Sequence, residues 1–161
     1  NGRKQRCFEA AKGARIMAEF VYITIEEATR IHSKTIENSG GRTKGQIDIG
    51  KLESVLEHIK NDDYYPTFID KLTHLFFCAC EFHCFADGNK RIAITLSADF
   101  LIKNGYMAVA GIFFVTMENI SYHVAAGKID KQLLKKIIQA IMAGTYEENE
   151  ELKFEIYSVI N

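Results

Sequence analysis

Tryptophan is absent from these 161 residues, and proline occurs once, at Pro66. A loop-rich β-sandwich needs more turn punctuation than that, so the chain reads as helical. Charge of one sign is also lacking: 20 Lys and Arg stand against 21 Asp and Glu, for a net charge of -1. Long-range steering towards nucleic acid or an anionic membrane is therefore not implied. No apolar run approaches the ~20 residues that cross a bilayer. Charges interrupt every apolar cluster before Val21, so the start has no secretory core segment, and the cytoplasm is the expected location. Cysteine is scarce, at four residues. Three lie in Cys78-Ala-Cys-Glu-Phe-His-Cys84, which invites a metal reading with His83 or His74. Helical geometry argues against it, because Cys78 and Cys80 would point about 200° apart. No second, matched ligand pair exists either, as structural zinc usually requires. Small buried thiols are the expectation.

What the chain has is the composition of an ordinary globular domain, 47% hydrophobic and 25% charged, long enough to bury a core without staples. Residues 3 to 20 mix Arg3, Lys4, Arg6, Lys12 and Arg15 with Phe8, Ala11, Ile16 and Phe20, as a basic amphipathic helix would. Thr24-Ile-Glu-Glu27 has the form of a capping box and predicts a helix to about Asn38. Ser39 to Gly45 breaks it as a loop. Helices follow over Gly50 to Lys60, then from Thr67 towards Phe82, and over Asn89 to Lys103, ending at Asn104-Gly105. Tyr106 to Val115 is apolar and β-branched enough for an extended segment or short strand. Thr116 then opens a helix to Ala126, and another covers Asp130 to Ala143. The tail is ambiguous, since Leu152 to Ile160 alternates in part as a strand would. The fold class expected is all-α, about six or seven helices with a small flap or short β segment.

The chemistry concentrates in His83-Cys-Phe-Ala-Asp-Gly-Asn-Lys-Arg91, a polar break between two apolar helices. The second helix would start near Asn89, where unpaired N–H groups and the positive end of the helix dipole favour an anion. Lys90 and Arg91 add charge there, and Arg can grip a phosphate through two parallel bonds. Singly, a histidine at a helix end caps it, Asp-Gly is a turn and Lys-Arg a solvated pair. In this order at a helix start they make a phosphate-binding loop with a general base at its rim.

This stretch resembles the signature of the Fic/Doc (Fido) family, H-x-F-x-[DE]-[GA]-N-[GK]-R, at every fixed position. With Lys90 before the last Arg, it is most similar to the Doc, death-on-curing branch. Gly40-Gly41, Gly45, Asp48 and Leu52-Glu-Ser54 resemble the run that follows the first helix of Doc-type proteins, and Ala125-Ala-Gly-Lys-Ile129 the step before their last helix. The resemblance spans roughly Ile23 to Gly144. The basic N-terminal helix at residues 1–20 and the tail at 147–161 lie outside it and flank a Fic/Doc domain expected at 21–146.

What the resemblance implies is a transferase that moves part of a nucleotide to a hydroxyl of a target protein. His83 maps to the general base and Asp87 to a Mg²⁺ ligand, with ATP as the nucleotide substrate. Gly88, Asn89, Lys90 and Arg91 map to the phosphate-binding positions. Phe85 reads as a core anchor, and Cys84 has no assigned role. The loop from Gly40 to Ile49, with Gly40, Gly41, Gly45, Gln46 and Ile47, maps to a flap that docks the target as an added strand.

Two departures bear on the reaction. AMP-transferring Fic proteins carry a second Arg three residues after the first, and here that position is Ile94. Lys90 replaces a Gly where backbone would pass close to phosphate. In the Doc branch these changes go with transfer of the terminal phosphate. The expected activity is thus a Doc-like protein kinase, a toxin whose partners are a Ser, Thr or Tyr hydroxyl of a target and an antitoxin. AMP transfer stands as the alternative, and a non-catalytic Fido-fold binding module as the alternative of another class. Ser33-Lys-Thr-Ile-Glu37-Asn38 fits the family's inhibitory pattern literally, but on what would be the first core helix it reads as coincidence. Neither a nucleic-acid nor a membrane partner is expected.

Overall fold

The computed structural model describes residues 19–38, 49–81 and 88–161. Every regular element among them is helical: α1 (Ile25–Asn38), α2 (Ile49–His58), α3 (Phe68–Cys80), α4 (Gly88–Lys103), α5 (Met107–Ala125), α6 (Lys131–Ala143) and α7 (Glu150–Ile160). Residues 1–18 of the expected N-terminal helix, residues 40–48 of the expected flap and residues 83–87 of the signature lie outside the described residues.

The start signals act much as their chemistry dictates. Thr67 Oγ1 accepts from the Asp70 N–H at 3.0 Å while the Asp70 carboxylate accepts from the Thr67 N–H at 3.2 Å, a complete capping box on α3. Asp70 also meets Lys135 of α6 at 2.7 Å. On α1, Thr24 Oγ1 accepts from the Glu27 N–H. The Glu27 carboxylate, expected to close the box, reaches Lys103 at the end of α4 at 2.6 Å. Asp130 caps α6 through the Leu133 N–H, and Gly144 ends it in the left-handed conformation (φ 74°) that glycine adopts without a Cβ penalty.

Helix α3 is the centre of the bundle, packed against α2, α4, α5 and α6. Its Leu72, Leu75, Phe76 and Ala79 are fully buried. Phe68 stacks on Phe100 of α4 with ring centroids 4.8 Å apart, and Phe76 meets Phe113 of α5 edge to face. Helix α4 packs on α1, α3 and α5, so the two helices that flank the signature are both core elements.

Two expectations give way to the structure. Tyr106 to Val115, read as extended, is the first half of the 19-residue helix α5, which starts at Met107 rather than Thr116. The helix buries Ala110, Phe113, Met117, Ile120 and Val124, a 3-4-3-4 spacing. Apolar residues also fill the opposite face, and that masks the period in the sequence. Burial of one continuous stripe outweighs a β propensity that spans only ~1 kcal/mol. Residues 150–160, left ambiguous, form α7, whose start is capped by the Asn149 side chain accepting from the Leu152 N–H. Leu152 and Ile156 are buried one turn apart, while Phe154, Tyr157 and Val159 stay exposed and imitate strand alternation.

Two buried polar side chains tie segments together. Asn104 follows α4: its Oδ1 accepts from Val21 N, and its Nδ2 donates to Val21 O and Phe100 O, at 2.8–2.9 Å. Its amide thus pairs with the strand-like segment before α1 as a neighbouring backbone would. Gly105 (φ 89°) then turns the chain into α5. Lys71 of α3 is 0% exposed, and its ammonium donates to Ile59 O and Asp62 Oδ1, both at 2.7 Å. The rings of Phe20 and Tyr22 cover it at 5.8 and 5.7 Å.

Candidate functional site

The signature joins two packed helices. Helix α3 ends at Cys80, and the C-cap Glu81 donates its N–H to Phe77 O and Cys78 O. Helix α4 begins at Gly88. Of the expected site residues, His83 and Asp87 fall in the connection, outside the described residues. Gly88, Asn89 and Lys90 form the first turn of α4, and Arg91 follows, exposed. The first N–H groups of a 16-residue helix therefore belong to the residues singled out for phosphate. Thr95 Oγ1 donates to Arg91 O at 2.8 Å, holding the backbone of that second turn.

Directly after Arg91 the helix enters the core. Ile92, Ala93 and Ile94 are all buried, Ile94 to 4% exposure. The position three residues after Arg91, which resemblance singled out, is thus occupied by a packed aliphatic side chain.

Helix α2 brings a second wall. Gly50, Lys51, Ser54, Val55 and His58 of α2, with His74, Phe77, Cys78 and Glu81 of α3, line a cavity of about 700 Å³. Gly50 directly follows the segment expected to be the flap, and Glu81 is two residues before His83. Described residues that border the flap segment and the signature loop therefore line the same groove. Gly40, Gly41, Gly45, Gln46 and Ile47 lie outside the described residues.

One wall of the groove holds a cluster that sequence reading missed. Lys131 Nζ donates to His74 Nδ1 at 2.8 Å, which puts the proton of the neutral ring on Nε2, 3.2 Å from Tyr65 Oη. Tyr65 stacks on the same ring with centroids 4.3 Å apart. Burial, then the charges of Lys131 and His58, lower the His74 pKa to about 4, so the imidazole is neutral at pH 7. Cys78 Sγ lies 3.5 Å from His74 Nε2, and burial pushes its thiol up, away from thiolate reactivity. His74 and Cys78 lie one turn apart on α3 and Tyr65 nine residues before His74, but Lys131 is 57 residues away and only the packing of α6 on α3 brings it in.

Among the described residues, no group of three or more His, Cys, Asp or Glu could hold a metal ion. Cys78 is half-buried and Cys80 buried, both as free thiols. No helix among the described residues is long and apolar enough to cross a membrane. On α1, Ser33 Oγ donates to Thr29 O, and Glu37 is exposed.

Residues 22–101, just under half of the chain, match the sequence model of the Fic/DOC family. The matched span runs from the segment before α1 to the last turn of α4 and contains the whole His83–Arg91 signature. No curated protein and no solved structure matches the chain.

Proposed function

We propose, from the premise that residues 22–101 are a Fic/DOC domain, that this chain transfers the terminal phosphate of a nucleoside triphosphate to a protein hydroxyl. The burial of Ile94 carries the choice of phosphate over AMP. A second phosphate-gripping Arg at this place would have to leave the core, because a guanidinium is not buried unpaired. The cations left to the site are Lys90 and Arg91, at the helix start itself. They favour a triphosphate held by its leaving end, with its terminal phosphorus open to attack.

His83 takes the proton from the Ser, Thr or Tyr hydroxyl as its oxygen bonds to the terminal phosphorus. The bond from that phosphorus to the bridging oxygen breaks, and the nucleoside diphosphate leaves with the electron pair. The first N–H groups of α4, with Asn89, Lys90 and Arg91, hold the phosphates. Asp87 would hold a Mg²⁺ ion, which would neutralise charge on the phosphates during transfer. One carboxylate, Asp87, suits an ion that usually keeps phosphate oxygens and waters for its other positions. The α2–α3 groove receives the target segment, positioned by the flap from Gly40 to Ile49. Such an enzyme acts as a toxin held in check by a separate antitoxin.

The test is to incubate the purified chain and its His83→Ala variant with cell lysate, Mg²⁺ and ATP labelled at either the α or the γ phosphorus. Label transferred from the γ position alone, and lost in His83→Ala, is expected. Transfer of α label would replace phosphate by AMP in this reading. Growth arrest by both proteins, with no label from either, would make the chain a binding module.

A further inference from the structure

Lys131 carries a charge that its own surroundings leave unbalanced. It is the first residue of α6, half-buried, and its ammonium donates to Nδ1 of a neutral His74. Among the described residues no carboxylate pairs with it. Asp130 beside it caps α6 through the Leu133 N–H, and Asp70 is held by Lys135. The positive end of the α6 dipole adds to the same charge. That charge reaches the α2–α3 groove, where it acts on both His74 and Cys78 of the lining. An ammonium has three N–H groups, and the neutral ring takes one.

The groove has a direction. Ile59 O accepts from Lys71, and the charge of His58 acts on His74, so the end of α2 meets the beginning of α3 and the two helices run antiparallel. His58 and His74 thus mark the Lys131 end of the groove. Gly50 and Glu81 mark the other end, next to the signature, and Val55, Phe77 and Cys78 form an apolar middle. From Gly50 to His58 is eight residues of α2, about 12 Å. An extended segment covers that span in about four residues, and its side chains at every second position face the same way.

We propose that the groove selects its target segment by a carboxylate, an Asp or Glu about four residues from the hydroxyl that receives phosphate, held at Lys131. An apolar residue midway between the two is held by Val55 and Phe77. This specificity rests on the reading of the groove as the seat of the target segment. Charge complementarity commits the occupant. One full cation matches one carboxylate, whereas a phosphorylated residue calls for the two-pronged grip of Arg, and among the described residues no Arg lines the cavity. Lys51 and Glu81, of opposite sign, leave the lining itself without a competing preference.

The test is fluorescence anisotropy of labelled peptides on the 161-residue chain, at low salt and without nucleotide. Each peptide carries Ser as acceptor, Leu two residues away and Glu or Lys four residues away, in either chain direction. In one direction the Glu peptide is expected to bind roughly fivefold more tightly than its Lys twin, a preference that shrinks as salt is added. Changing its Leu to Ser weakens binding roughly tenfold. Lys131→Glu reverses the order of the Glu and Lys peptides. Lys131→Gln, which keeps an N–H for His74, binds the two alike and decides the matter where the reversed charge unfolds the chain. No binding by any peptide, equal binding of Glu and Lys peptides, indifference to Leu, or a Glu preference that survives Lys131→Gln overturns the proposal. None of these readouts needs phosphate transfer. A Glu preference with no γ label transferred defeats the kinase reading alone, and γ label passed equally to Glu and Lys peptides defeats this proposal alone.

Discussion

Replacing Lys71 by Met keeps the length of the side chain and removes its charge. Wild-type Lys71 spends its buried ammonium on two acceptors of unequal surroundings. Ile59, the residue after α2, is fully buried, whereas the Asp62 side chain is 78% exposed. Without the ammonium, Asp62 turns to water at a cost of about 0–1 kcal/mol, since an exposed pair contributes little. Ile59 O has no such recourse and loses a charge-assisted bond, worth about 1.5–3 kcal/mol. Two ring contacts add about 0.5–1 kcal/mol each. Against these stands the relief of a desolvated ammonium, several kcal/mol in principle. The net expectation is a loss of about 1–3 kcal/mol for Lys71→Met, and at most about 1 for Asp62→Asn. At roughly 2–4 °C per kcal/mol for a chain of this size, calorimetry separates the two variants by several degrees. An Asp62→Asn loss equal to or above that of Lys71→Met would refute the claim that the carbonyl arm dominates.

The other predictions rest on separate parts of the molecule. Asn104→Ala strips Val21 and Phe100 of side-chain partners and is expected to cost about 2–4 kcal/mol, measured by urea unfolding, with amide exchange accelerated at Val21. His74 has a folded pKa of about 4, below its unfolded value of 6.5. Between these values the unfolded chain binds the extra proton, so the stability His74 contributes is complete above pH 6.5 and fades as pH falls to 4. For a half-buried ring the loss is about 1–2 kcal/mol after allowance for solvent screening. The same pH series on His74→Gln should lack that slope. Ile94→Arg forces a cation into the core and is expected to lower stability by at least about 3 kcal/mol without creating α-phosphate transfer. A folded, AMP-transferring Ile94→Arg protein would show that this side chain can reach the nucleotide after all.

The helices and their caps were legible in the chain because they are local. Thr67 and Asp70 meet over three residues, Asp130 and Leu133 over three, and Gly144 needs only its own missing Cβ. The helix start inside the signature was legible for the same reason: the Gly88-Asn89 step lies within the first turn of α4. Where apolar residues occupy two faces, as on α5 and α7, local pattern fails. Only the neighbour that buries one face decides the period.

By itself, then, the sequence determined the all-helical class seen among the described residues, the helix that opens at the Gly88-Asn89 turn, and the family model that residues 22–101 match. Tertiary structure decided what lies around that turn. It buried Ile94 behind Arg91 and joined α2 and α3 into a groove. It set His74 between Lys131 and Tyr65. The division has a physical cause. Caps and helix dipoles act within a turn or two of chain, whereas burial and desolvation depend on which distant segment arrives to exclude the water.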